Sequence, residues 1–216
     1  MKTSYVVITV LLAGIILLIA GYQLGPSMET PLATHWNAAG EADGFGSQFA
    51  ALYFLPLLTM ALSLLILFVP AVDPLKINVD AFRSEYNVFV LFFATFMYYV
   101  HGLSLAWNLG LQFSMNAMLT PAIGLFFVLA GMLLLKARRN YFIGIRTPWT
   151  LANDTVWDKT HQMGGRLFIA SGVLTTACVV FPAATPVVLL VTILGATLFT
   201  IVYSYLEYRK IEKRVS

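Results

Sequence analysis

The sequence predicts an all-α polytopic membrane bundle. Three observations point there: extreme apolarity, six long apolar runs, and cations confined to one side of the membrane those runs define. Of 216 residues, 59% are hydrophobic and 11% charged, far from the balance of a soluble domain. A membrane helix needs roughly 20 apolar residues, so six spans leave room for loops and tails alone. The whole chain, 1–216, reads as a single membrane domain. Open backbone groups are not tolerated in lipid, and the runs lack the alternation of barrel strands, so the spans are helical.

Apolar windows place the spans near 4–24, 49–70, 85–106, 118–136, 166–183 and 186–206. The first run, from about Tyr5 to Leu24, exceeds a usual signal-peptide core and lacks a small-x-small cleavage site, so it reads as a retained helix. Lys2 precedes it. Lys76 and Arg83 follow the second span. Lys136, Arg138, Arg139, Arg146, Lys159 and Arg166 surround the long loop after the fourth, and Arg209, Lys210, Lys213 and Arg214 form the tail. With both termini cytoplasmic, all 13 Lys and Arg lie on one side, and the other carries Glu29, Glu41 and Asp43. Five or seven spans would split them, so the positive-inside rule supports the count as well as the direction. The net charge of +3 therefore reads as membrane topology, with no direct nucleic-acid binding.

Trp107, Tyr203, Tyr205 and Tyr208 fall where aromatic anchors meet headgroups. The segment Phe181–Pro186 allows only a tight outer turn, which makes the last two spans an antiparallel hairpin. Cys178 is the single cysteine, so an internal disulfide and a cysteine zinc cluster are excluded.

Two loops carry information. The outer loop, 25–48, holds Gly40, Gly44 and Gly46 with an Asp-Gly pair, which predicts tight turns. His35, Glu41 and Asp43 could converge on a cation, although their spacing matches no metal motif. A compact structural cap and a ligand-facing surface are the other readings. Its candidate ligand contacts are His35, Trp36, Asn37, Glu41 and Asp43. No cofactor or metal is expected.

In the inner loop, 137–165, Thr147-Pro148 breaks any helix, Asn153 or Asp154 caps a short one running to Met163, and Gly164-Gly165 ends it. Val156, Trp157, Thr160 and His161 share a face directed at the membrane or the bundle. The loop's arginines serve topology and anionic-lipid attraction. In a sharper reading, Arg146, Thr147, Pro148, Trp149, Asn153, Trp157 and His161 dock a cytoplasmic partner.

These motifs resemble the SdpI-like family of membrane immunity proteins. The outer match is Pro31 with His35-Trp36-Asn37, Gly40 and Asp43-Gly44. The inner match is Gly144–Leu151 with Asn153, Val156-Trp157, Thr160-His161 and Gly164-Gly165. The resemblance implies a cell-membrane protein that protects against a secreted peptide toxin of the sporulation-delay type. In some relatives the resemblance also implies signalling to a cytoplasmic autorepressor, held at the membrane when toxin is present. Beyond the lipid bilayer, the implied partners are that toxin and that repressor.

Two other classes compete. A transporter usually carries ionisable groups in mid-membrane, and no run has a central Asp, Glu, Lys or Arg. Pro56, Thr59, Ser63, Ser104 and Asn108 could still open a polar pocket. An enzyme needs convergent chemistry, whereas His35, His101 and His161 are dispersed along the chain, and His101 reads as a packing residue. The expectation is therefore a binding or signalling protein, not an enzyme.

Overall fold

The structure, a computed structural model, describes residues 1–111 and 113–215, with the side chains of 182, 214 and 215 outside the description. Arg214 of the tail falls among these.

Helix α1 (Thr3–Leu24) leads to a hairpin of strands β1 (Leu32–Trp36) and β2 (Ala42–Gly46). Next come α2 (Leu55–Val72), a short α3 (Lys76–Asp80), α4 (Arg83–Asn108) and α5 (Met115–Leu134). After the one-turn α6 (Pro148–Ala152), α7 (Asp154–Ala177) and α8 (Thr185–Val215) complete the chain. Among the described residues, α1, α2, α4, α5, α7 and α8 are long and apolar enough to cross a membrane. We call the end bearing both termini the inner end and the end bearing the hairpin the outer end. Helix α1 packs on α2 and α4, α4 on α5, α5 on α7, and α7 on α8.

Residues Ala50–Phe54 form a π-helical turn running into α2. Pro56 has no N–H to donate, and a proline ring collides with the carbonyl four residues back, here that of Leu52; the wider turn relieves this. Gly21 of α1 lies opposite, where a Cβ would stand 3.2 Å from the Leu52 carbonyl oxygen.

Glycine decides the α5–α7 crossing. A Cβ on Gly172 would fall within 2.4 Å of the Gly124 carbonyl oxygen, and one on Gly165 within 2.8 Å of that of Gly131. Two backbones this close are the product of small residues on both faces. This corrects the expected stop at Gly164-Gly165, because α7 runs unbroken from Asp154 to Ala177. A glycine costs a helix only about 1 kcal/mol, and intimate packing offsets it. The inner loop therefore closes at Asn153 rather than residue 165. Helix α8 likewise continues past 206, so Glu207, Arg209, Lys210 and Lys213 stand on a helix and not in a loose tail.

At the inner end Val79, Phe82, Tyr86, Leu133, Ala137 and Trp157 build one apolar cluster that joins α3, α4, α5 and α7.

Candidate functional site

The inner loop is held by its own polar residues. Asn140 is buried; its Oδ1 accepts the amides of Phe142 and Ile143 at 2.9 and 2.6 Å. Its Nδ2 donates to the carbonyls of Arg138 and Ile143. Buried Asp73, after α2, accepts the Tyr141 amide at 2.9 Å, and Asn78 of α3 donates to the Arg139 carbonyl at 2.8 Å. Thus two elements before α4 grip a loop that follows α5. Arg139 reaches forward, pairing with Asp154 at 2.7 Å and donating to the Leu151 carbonyl at 2.9 Å.

Downstream, Gly144 turns at φ +113, a region closed to most side chains, and a Cβ there would collide with His161. The turn delivers the Ile145 amide to Nε2 of His161 at 2.9 Å, while His161 Nδ1 donates to the Trp157 carbonyl at 2.9 Å. Donor and acceptor together select the neutral Nδ1–H tautomer. His161 stacks on Trp157 at 3.9 Å between centroids, and Trp157 Nε1 donates to the Ala137 carbonyl at 2.9 Å.

Thr147 and Thr150 form a reciprocal capping box that starts α6. Thr147 Oγ1 also meets Ser204 Oγ of α8 at 3.0 Å, and Trp149 packs on Tyr205 with centroids 5.1 Å apart. Asn153 caps α7 by accepting the Val156 amide at 3.1 Å. One turn into α7, Lys159 meets Glu207 of α8 at 2.7 Å, and Lys210 bonds the other carboxylate oxygen. Glu207 is 4% exposed although it sits among cations. It is a tie between the last two helices that charge counting along the sequence missed.

The expected docking set therefore divides. Trp157 and His161, at 0% and 1% exposure, and Thr147 at 7%, face the interior. They cannot form surface; they hold the loop's shape, and Asn153 acts as a cap. Arg146 and Pro148 remain exposed, with Trp149 half-buried. Beside them Asn78, Arg138, Arg139, Asp154 and Asp158 line an open polar basin of about 560 Å³. Asn78 and Asp158 were not singled out by sequence reasoning, because their meeting depends on α3 folding back against the loop.

At the outer end an expected tight turn falls at Gly40, whereas Asp43-Gly44 and Gly46 lie in strand β2. Asn37 organises the hairpin tip: its Oδ1 accepts the amides of Ala39 and Glu41 at 2.8 and 3.1 Å, and its Nδ2 donates to Glu41 Oε2 at 3.2 Å. His35 Nδ1 donates to Asp43 across the strands at 2.6 Å, with both side chains well exposed. The hairpin is docked: Asn108 of α4 accepts the Ala33 amide at 2.8 Å and donates to the Ala33 carbonyl at 3.0 Å, in place of a third strand. Asn116 of α5 donates to the Ala38 carbonyl at 2.6 Å. Trp107 meets Trp36 edge-on with centroids 5.7 Å apart, so it clamps the hairpin besides lying near the interface. Of the five candidates, His35 and Asp43 face outward, while Asn37 and Glu41 shape the tip. Among the described residues no three His, Cys, Asp or Glu side chains gather to hold a metal.

Six apolar helices, a docked outer hairpin and an interlocked inner loop define a multi-pass cell-membrane protein. Residues 136–204 match the SdpI/YfhL protein family, and residues 11–60 match a domain of unknown function, DUF1648. The chain is 24% identical over 131 residues to the immunity protein SdpI of Bacillus subtilis (strain 168), a match covering 60% of this chain and 61% of that protein. The family match runs from the inner loop into α8 and, together with this relative, supports an SdpI-like assignment. No solved structure matches it.

Proposed function

We propose that the protein, a single membrane domain with both termini cytoplasmic, protects its cell against a secreted peptide toxin of the sporulation-delay type. In this reading the outer hairpin meets the toxin through His35, Trp36, Asn37, Glu41 and Asp43. The inner loop answers to a cytoplasmic repressor through Arg146, Pro148 and Trp149, on the framework of Thr147, Asn153, Trp157 and His161. The supporting observation is that the inner motif is one interlocked unit, tied to Ala137 just past α5 by Trp157, to α7 by His161 and to α8 by Thr147. A shift of α7 or α8 would therefore reach the exposed Arg146 segment directly. Such coupling requires the toxin to favour one arrangement of the bundle over another.

The test is expression in a toxin-sensitive strain, with survival scored against an empty vector and a repressor-controlled reporter read in parallel. Survival with reporter output supports both halves. Survival alone limits the protein to protection, and death at the vector's rate defeats the proposal.

A further inference from the structure

The six long helices fall into two sets of three. Helices α1, α2 and α4 pack on one another, α5 packs on α7 and α7 on α8, and the sets meet chiefly along the α4–α5 seam. Midway along it Phe126 of α5 lies against Phe89, Phe92 and Phe96 of α4, at 5.5, 6.3 and 5.4 Å between centroids. At the inner end the sets are joined by the apolar cluster around Trp157 and by the hydrogen bonds of Asp73 and Asn78 to the inner loop. At the outer end the apolar cluster of Met28, Leu32, Ala51, Leu52 and Leu105 lies wholly within the first set and the hairpin. A Cβ on Gly102, one turn beyond Tyr99 on α4, would meet nothing within 4 Å. What crosses the seam there is polar. Tyr99 donates to the Met118 carbonyl at 3.0 Å, and Asn116 of α5 donates to the Ala38 carbonyl of the hairpin at 2.6 Å.

The hairpin thus spans the seam with unequal ends. Its base belongs to the first set: Leu32 and Ala33 are buried, and Asn108 of α4 makes two hydrogen bonds to the Ala33 backbone. Its tip rests on the second set. There Gly40, at φ +84, brings its backbone against Asn116, where a Cβ would stand 3.4 Å from Cγ. The base is a buried core, whereas the latch is one hydrogen bond open to solvent, where water offers Ala38 and Asn116 equivalent partners. We propose that the hairpin is a releasable strap, fixed to α4 and latched to α5 by Asn116, that holds the outer ends of the two sets together. With the latch undone, α5 carries α7 and α8 away from α4 at the outer end, and the inner cluster is the pivot. The link between the two helices, residues 109–114, is long enough to allow several ångström of parting. The ligand contacts proposed above lie on the same hairpin, so the identity of what undoes the latch rests on that reading; the strap itself does not.

Double electron–electron resonance on the full chain in lipid nanodiscs, with no ligand added, tests the strap. Cys178 is replaced by Ala, and spin labels are placed at Tyr22 and Val180 for the outer end or at Ile77 and Glu212 for the inner end, all exposed positions. Asn116→Asp keeps the size of the side chain but has no N–H for the Ala38 carbonyl. It should add a second outer population, longer by several ångström, and leave the inner distance as it was. Should that variant aggregate, Asn116→Ala takes its place with the same expectation. Tyr99→Phe removes the other outer tie but leaves the strap latched, and should keep the single outer distance. An unchanged outer distance in a folded Asn116 variant, an equal change at both ends, or opening by Tyr99→Phe as large as that by Asn116→Asp would each overturn the proposal.

Discussion

His161 accepts the amide proton of Ile145 at 2.9 Å, so a side chain on α7 completes the turn that presents Arg146. Replacing His161 with Ala leaves that amide unsatisfied, which costs about 1–3 kcal/mol. The expected outcome is a lower melting temperature in detergent and faster proteolysis between Tyr141 and Thr147. Gly144→Ala should behave alike, since its new Cβ would enter the His161 ring. Unchanged protease resistance in both variants would contradict this account of the loop.

Trp157 and Arg146 share one motif but should fail differently. Trp157 is fully buried, and Trp157→Ala is expected to cost about 3–5 kcal/mol and deplete the protein from membranes. Trp157→Phe retains most of the packing and loses only the bond to Ala137. Arg146→Ala should change stability by no more than about 0.5 kcal/mol and still abolish reporter output. Membrane yield compared with reporter signal separates the two effects.

Glycine substitutions should sort by what faces them. Gly172→Ala drives a methyl into the Gly124 carbonyl and Val128 amide and is expected to destabilise by about 1–3 kcal/mol. Gly102→Ala meets nothing within 4 Å and should be neutral or gain up to about 1 kcal/mol in helix propensity. Thermal melts of the two variants, run side by side, decide the matter.

The Glu207 tie is asymmetric. Glu207→Gln removes the carboxylate shared by Lys159 and Lys210 and should cost about 1–3 kcal/mol. Lys159→Ala deletes a half-exposed partner while Lys210 stays, so its cost should be under about 1 kcal/mol. Equal losses from the two variants would mean that Glu207 is not the centre of the contact.

Orientation is open to direct measurement. With Cys178 replaced by Ala, a cysteine at Ala39 should react with a membrane-impermeant maleimide in intact cells. One at Ala152 should react only after permeabilisation. Both sites are exposed on the protein, so labelling reports the side of the membrane.

The six spans were legible because each is a local property: twenty apolar residues in a row name their own solvent. Their inner edges were less legible. Gly164-Gly165 reads as a stop when only neighbours in sequence are considered, yet Gly131 and Leu135 on α5 make Gly165 a packing site. The hairpin was hidden for a similar reason. Its strands are short and interrupted by register shifts, and Asn108 and Asn116, distant in sequence, help hold it.

Of the candidate site, the residues were readable but their roles were not. Periodicity grouped Val156, Trp157, Thr160 and His161 on one face and left open whether lipid or protein covered it. All four are buried, with Ala137 just past α5 and Ile145 of the inner loop supplying partners to Trp157 and His161.

By itself the sequence determined an all-helical membrane chain, its span count and the family motifs, because hydropathy and residue identity need no knowledge of what lies across the bundle. Only the tertiary structure decided that Trp157 and His161 are framework, that Arg146 and Pro148 are surface, and that Glu207 joins α7 to α8. Those roles follow from which helices meet and how closely. Two glycines facing each other across a crossing settle that in a way that neither glycine settles alone.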